Sequence, residues 1–425
     1  MSVLDEFRWR GLLQDATEGA DEHFQAGPVT AYIGFDPTAS SLHVGSLLPI
    51  LGLVHLQRHG HHPLALVGGG TGLIGDPSGK VAERSLLNRD EAEANAQGIR
   101  DQLAHFLDFD SSGNPARLIN NLEWLGEAGL LHFLRDVGKH FSVNAMLRRE
   151  SVRRRVESDE AGISFTEFSY TLLQAYDFLE LHQRMGCTAQ LGGSDQWGNI
   201  TAGIDLIRRV NGSRAFGAVF PLVTTASGTK FGKTEEGTIW LDPERTSPYR
   251  FYQFWLNTTD ADAGRYLRYF TFLSREEVET LEQESAERPQ DRAAQQALAD
   301  DVTRRVHGAE GLERARRASS VLFGGLVEGL SAGEVQDIFA DVPSAEMPRG
   351  SLDGEGMPVV EFLFASGSFS SKGEARRALQ GGGVYLNNRR LEDPAGSVSS
   401  EAAVDGRYLI VRRGKKNYHL VHLVG

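Results

Sequence analysis

The sequence predicts an α/β protein, with a parallel sheet interleaved with helices in its first half, then an all-helical stretch and a small α+β tail. Three features carry that reading. Short apolar runs alternate with helical periodicity before residue 247, strand-like runs vanish after it, and the sign of the charge reverses near the C-terminus. At 425 residues the chain is too long for one core and implies two or three domains.

Residues 29–35 (Val-Thr-Ala-Tyr-Ile-Gly-Phe) read as a buried strand that Asp36-Pro37 ends in a turn. Residues 42–60 carry Leu47, Leu48, Leu51 and Val54 at helical spacing and stop at Gly60. Residues 64–67, 117–119 and 188–191 are three further short strands separated by helical patterns. This βαβ rhythm implies a parallel sheet with ligands at the carboxyl ends of its strands. Ser247-Pro248 then starts a helix with serine at the cap and proline in the first turn. A Glu-, Arg- and Ala-rich helical region runs from there to about Val342. Residues 343–358, rich in Pro, Gly, Ser and acids, read as a linker. The tail from Val359 holds ten Lys and Arg against six Asp and Glu, in a chain whose net charge is −13. An acidic chain argues against nonspecific nucleic-acid binding, but a local basic unit of this kind points toward it.

Hydrophobic content of 40% and charged content of 24% are those of an ordinary globular protein. No apolar run approaches the roughly 18 residues of a membrane span, so no membrane partner is expected. The amino end, Met1-Ser2-Val3-Leu4-Asp5-Glu6, gives no sign of a secretory signal, and a cytoplasmic location is the expectation. A single cysteine, Cys187, leaves neither a disulfide framework nor a cysteine zinc site within one chain, so no bound zinc is expected.

Two stretches carry the chemistry. Asp36-Pro37-Thr38-Ala39-Ser40-Ser41-Leu42-His43-Val44-Gly45-Ser46 brings hydroxyls and an imidazole to a helix start. Lys230-Phe231-Gly232-Lys233-Thr234 is a glycine-hinged loop bearing two ammonium groups. Donors at a helix N-terminus stabilise charge developing on phosphoryl oxygens, and mobile lysines suit a pyrophosphate whose charge is moving. A third stretch, residues 168–177, reads as a helix on which Tyr170, Gln174 and Asp177 share one face, too polar for core unless it lines a pocket. Gly70, Gly72 and Gly75 fit the dinucleotide pattern, but Asp76-Pro77-Ser78-Gly79 breaks the helix that should follow. Residues 75–80 also fail as a phosphate loop of the Walker type. In Gly192-Gly193-Ser194-Asp195-Gln196, Ser194 or Asp195 can cap a helix ending near Asn211, bind a ligand, or both. Arg148, Arg149, Arg153, Arg154 and Arg155 are either an exposed helix end or a platform for nucleic acid.

The two signatures resemble the HIGH and KMSKS motifs of class I aminoacyl-tRNA synthetases, and the residues between them resemble the bacterial tyrosyl-tRNA synthetase family. The resemblance is dense over 29–234 and again from Val359, and thin through the helical middle. It implies a Rossmann-like catalytic domain (1–245), a helical anticodon-binding domain (246–342), a linker (343–358) and a small RNA-binding domain (359–425), working as a homodimer. It implies a tyrosine–tRNA ligase that joins L-tyrosine to ATP and then to tRNA(Tyr), with Mg2+ arriving on the ATP.

By that resemblance Thr38, His43, Ser46, Lys230, Lys233 and Thr234 serve adenylation, with Lys80 and Arg84 as further pyrophosphate contacts. Asp76, Tyr170 and Gln174 bind the substrate ammonium, Tyr32 and Asp177 its phenol, and Gln196 lies near its carboxylate. Gly34, Asp36, Gly193 and Asp195 join His43, Ser46, Lys230 and Lys233 around ATP. The glycines at 70, 72 and 75 let backbone approach the bound aminoacyl group. The five arginines and Lys372, Arg376 and Arg377 meet tRNA. The chain departs from the family's common wording at Ser46, where a second histidine is frequent, and at Phe231, Gly232 and Thr234. Rival readings are the tryptophanyl family, a small-molecule adenylyltransferase, and an inactive RNA-binding paralogue. The first lacks use for the Tyr32/Asp177 pair, the second leaves the tail unexplained, and the third predicts an eroded site.

Overall fold

The computed structural model of the protein describes residues 2–76, 88–149, 152–153, 156, 162–226, 228, 231–234, 237–322, 324–340, 342–414 and 417–425, with backbone alone at 89, 233 and 234. The chain divides into two compact units, one of residues 1–242 with 258–298, the other of 243–257 with 299–425.

The first unit is built on a six-stranded sheet of β1 (Asp15–Ala16), β2 (Thr30–Phe35), β3 (His62–Val67), β4 (Arg117–Asn120), β5 (Ala189–Gly193) and β6 (Phe216–Phe220). The spatial order is β1-β6-β5-β2-β3-β4, parallel except for the β1 edge. The order runs outward in both directions from β2 and β5, so the topological switch point lies between them. There the two strands pair only at Ala31 with Ala189 and Tyr32 with Gln190. Beyond that register Ile33–Phe35 and Leu191–Gly193 are free of each other, which opens a crevice at the carboxyl ends.

Four of these strands match the expected ones; β1 and β6 do not appear in the sequence reading. Phe216–Phe220 is buried at every position. A strand covered on both faces shows no alternation that periodicity could detect. The helix at Phe165–Met185 starts at Ser164, whose side chain accepts from the Glu167 N–H, and ends at left-handed Gly186. Its Ala175, Phe178 and Leu181 are fully buried against Tyr32, Leu64 and Leu66, and this fixes which face Asp177 turns inward. Among the described residues no helix is long and apolar enough to cross a membrane.

In the second unit β9 (Ser344–Pro348), β10 (Met357–Pro358), β11 (Val384–Leu386), β12 (Arg389–Arg390), β13 (Ser397–Val398), β14 (Tyr408–Arg413) and β15 (Asn417–Val424) form a five-stranded sheet, β12-β11-β14-β15-β9, and a β10-β13 pair. Asn387 and Asn388 turn β11 into β12 at φ 50° and 61°, the left-handed pair a tight hairpin requires. Strand β14 sends Leu409 and Val411 to one core and Tyr408 and Ile410 to another. That second core also holds Tyr249, Ala318, Val321, Val335 and Phe339, from the helices expected to form a separate domain. The helical region 246–342 is thus shared between the two units, which divide after 242, 257 and 298. Residues 343–358 are not a bare linker, since β9 pairs in parallel with β15. An edge strand of Ser, Ala, Glu, Met and Pro carries too little apolar pattern to be read as one.

One packing detail in the first unit sets an acid limit. His61, 4% exposed, accepts the Val29 N–H on Nδ1 at 3.1 Å and meets the Phe24 ring edge-on at 5.2 Å. Burial, then the neighbouring His59, His62 and His23, push its pKa down to about 4. The unfolded chain therefore takes up this proton first, so the stability His61 contributes is complete above pH 6.5 and is lost as pH falls toward 4. The loss should reach about 3 kcal/mol from this residue. His61→Gln should flatten denaturant-derived stability between pH 6.5 and 4; an unchanged slope would remove His61 as the cause.

Candidate active site

A cleft of about 420 Å³ opens at the switch point. Thirteen residues singled out by sequence line it: Tyr32, Gly34, Asp36, Thr38, His43, Ser46, Asp76, Tyr170, Gln174, Asp177, Gly193, Asp195 and Gln196. They come from the ends of β2 and β5, the loops and helix starts that follow those strands, the Phe165–Met185 helix and, for Asp76, the loop after β3.

At its floor Asp177 is 2% exposed, with Oδ1 accepting from Trp124 Nε1 at 2.7 Å and Oδ2 from Asn121 Nδ2 at 2.9 Å. Burial raises its pKa to about 7, and the two N–H donors oppose that rise. Beside it the Tyr32 hydroxyl and Gln190 Oε1 are buried without a hydrogen-bond partner, and both residues line the cleft. A buried polar atom left unmatched costs roughly 1–3 kcal/mol, so a floor of this kind is built for a polar ligand group.

Further out, Tyr170 Oη donates to Asp36 Oδ2 at 2.8 Å, and Thr71 Oγ1 to Asp36 Oδ1 at 2.8 Å. Burial first, then the fields of Asp36 and Asp76, raise the Tyr170 phenol well above its ordinary value. Gln196 Nε2 donates to Asp76 Oδ2 at 2.7 Å while its Oε1 accepts from Gln174 and Asn199, each at 3.2 Å. Two carboxylates, a hydroxyl and an amide thus surround one position, a set suited to an ammonium group.

His43 stands at the opening. Its Nδ1 accepts the Gly45 N–H at 3.0 Å, which leaves the ring proton of the neutral imidazole on Nε2. A Cβ at residue 45 would lie 2.8 Å from the ring, so glycine is what permits the bond. Ser46 makes no side-chain cap bond to the Leu47–Arg58 helix. Ser194 and Asp195 lie in the short helix Ser194–Gln196, and Trp197–Asn211 begins without a side-chain cap. The capping alternative for those two residues is therefore not what the structure has.

The lysine stretch reaches the same place through its backbone. Strands β7 (Lys233–Thr234) and β8 (Gly237–Thr238) form a hairpin. Ile239 then donates to Gly232 O at 3.2 Å while its own carbonyl accepts from Val44 at 3.0 Å. Gly232 has φ 80°, which explains glycine where the family often has serine. Phe231, 5% exposed, stacks on Phe270 at 5.2 Å and anchors the turn. Lys230, Lys80, Arg84, Arg154 and Arg155 lie outside the described residues, and of Lys233 and Thr234 only the backbone is described.

One expectation needs correction. Gly70, Gly72 and Gly75 do not line the cleft. Added Cβ atoms at 70 and 72 would meet Leu125 and Pro37 at 2.9 Å, so these glycines let the loop pack on itself, and Gly75, at φ 85°, turns the chain into Asp76. Arg148 and Arg153 are exposed, whereas Arg149 is partly buried and its pKa is lowered by that burial. Sequence reasoning missed Thr71, Asn121, Trp124, Gln190 and Trp240. Gln190, polar in the middle of an apolar strand, was the one with a visible signal.

An α/β switch-point cleft with an imidazole at a helix start and a lysine hairpin beside it defines a class I tRNA synthetase catalytic unit, and comparison with known proteins agrees. A family described as tRNA synthetases class I (W and Y) matches residues 25–324, and one described as the tyrosine–tRNA ligase SYY-like C-terminal domain matches 334–421. The tyrosine–tRNA ligase of Roseiflexus castenholzii is 57% identical over 100% of both chains, and that of Geobacillus stearothermophilus 54% over 99% of both. The solved, C-terminally truncated mitochondrial tyrosyl-tRNA synthetase of Aspergillus nidulans is 32% identical, covering 76% of this chain and 94% of its own, at a TM-score of 0.69. The chain belongs to the tyrosine–tRNA ligase family.

Because the indole N–H lowers the Asp177 pKa, Trp124→Phe should make that carboxyl titrate above pH 7, by about one unit. Carbon-13 NMR of the carboxyl reads this directly; an unmoved titration would take the indole out of the account.

Proposed function

We infer that this cleft is where a tyrosine–tRNA ligase joins L-tyrosine to ATP, and that the observation carrying the choice of amino acid is the partnerless Tyr32 hydroxyl beside buried Asp177. A phenol O–H donating to the carboxylate and accepting from Tyr32 satisfies both groups. A phenylalanine ring would leave them buried and unmatched, and an indole offers only a donor.

The ammonium end sits among Asp76, Tyr170 and Gln174, with Gln196 holding Asp76 and lying near the tyrosine carboxylate. Asp195, Gly193, Gly34 and Asp36 receive the nucleotide. One carboxylate oxygen of tyrosine attacks the α-phosphorus, the bond to the bridging oxygen breaks, and pyrophosphate leaves with its Mg2+, giving tyrosyl-adenylate. His43 Nε2–H, with the Thr38 and Ser46 hydroxyls, stabilises the charge on the phosphoryl oxygens. Lys230, Lys233 and Thr234 close over the departing pyrophosphate, joined by Lys80 and Arg84. Magnesium enters on the phosphates of the substrate.

The tRNA is then esterified at its 3′ end. Lys372, Arg376 and Arg377 are exposed on the Lys372–Gln380 helix, whose opposite face buries Ala375 and Leu379, and this basic face supports RNA contact by the tail. Arg148, Arg149, Arg153, Arg154 and Arg155 are the acceptor-stem candidates in the catalytic unit, and the helices within 246–342 the anticodon candidates. Leu130, Leu131 and Phe165 are 70%, 82% and 76% exposed, apolar area of the kind a second copy covers, so the enzyme is read as a homodimer. Its location is read as cytoplasmic, in keeping with a single buried, unpaired Cys187.

Tyrosine-dependent ATP–pyrophosphate exchange, run against tryptophan and phenylalanine, tests the reading: exchange is expected with tyrosine alone. Asp177→Ala should abolish it while circular dichroism stays unchanged. Lys233→Ala should depress the maximal rate far more than tyrosine affinity. Equal losses in both would mark a ground-state contact instead. Leu131→Asp should convert the dimer to monomer in sedimentation, and a monomeric parent would reject the assembly.

A further inference from the structure

The residue directly opposite His43 belongs to no signature. The chain leaving the lysine hairpin runs antiparallel to the His43 segment, with Val44 N–H donating to Ile239 O at 3.0 Å and Leu241 N–H to Leu42 O at 2.9 Å. His43 and Trp240 form the bridge between those two bonds. Such a flanked pair is the close, non-hydrogen-bonded kind, in which facing side chains rise together on one side. The two rings meet edge to face, with centroids 6.2 Å apart and planes at 66°, inside the range of a favourable aromatic contact. Trp240 also lines the cleft itself.

His43 is held at Nδ1 by the Gly45 N–H, and its ring meets the indole of Trp240 edge to face. The indole is a rigid surface fixed by the backbone bridge, and it limits the directions in which the imidazole can turn its Nε2–H. We propose that Trp240 is a positioning residue for adenylation, holding the His43 imidazole so that its Nε2 proton faces the phosphoryl oxygens. The indole itself does not touch the reacting atoms. The inference rests on the role given to His43 above.

Exchange kinetics on single and double variants test it in the full-length enzyme. His43→Ala is expected to slow exchange at saturating substrates by about 10²-fold or more, the usual cost of one preorganised donor. Trp240→Ala should slow it by about 10-fold with tyrosine affinity, followed by equilibrium binding, unchanged. Trp240→Phe should recover most of the rate, since a ring is retained at the same register. The decisive reading is the double variant: with His43 already removed, Trp240→Ala should cost nothing more. Losses that multiply would overturn the proposal, because the indole would then act independently of the imidazole. A parallel loss of tyrosine affinity and melting temperature in Trp240→Ala would overturn it too, as general damage to the cleft. Full exchange in His43→Ala would instead remove the imidazole from catalysis, and this inference with it.

Discussion

Burying a carboxylate against neutral hydrogen-bond donors is the constraint on which the cleft depends. Asp177 is held by two neutral donors, Asn121 and Trp124, and burial still leaves its pKa at about 7. That is a cost to the fold, and it is tolerated where a ligand's hydroxyl completes the shell. Asn121 also donates to Thr71, and Thr71 to Asp36, which receives Tyr170. One continuous network thus links the floor of the cleft to the Tyr170–Asp36 pair further out, in a single hydrogen-bonded frame.

A second constraint is backbone pairing. The lysine hairpin and the imidazole segment are nearly 200 residues apart in sequence, yet the segment 239–241 is bonded to both. The imidazole segment and the lysine hairpin are therefore brought together by main-chain geometry, with Phe231 buried as the anchor. Gly232, at φ 80°, makes the left-handed turn that this pairing requires.

The second unit shows the same economy in a different form. Its sheet is buried on both faces, one against its own helices and one against the helices that precede it. Asn388 and Tyr418 both donate to the carbonyl of Val321, satisfying an orphan acceptor at a helix end. The charged faces are left to solvent, where RNA would find them.

By itself the sequence determined the chemistry available and its rough address: an imidazole and hydroxyls after the first strand, two lysines past the midpoint, a Tyr/Gln/Asp helix face, a basic tail. Those signals are local, written in residue type and spacing, and thirteen of the residues singled out from the sequence line the cleft. Tertiary structure alone decided which neutral groups complete the site, because Asn121 and Trp124 meet Asp177 only through strand order, and Trp240 meets His43 only through a bridge. It also decided where the units divide, since residues 258–298 and 299–342 are alike in helical pattern and differ only in what they bury against. Long-range pairing leaves no period in a sequence, and those are the contacts that could be known only from the folded chain.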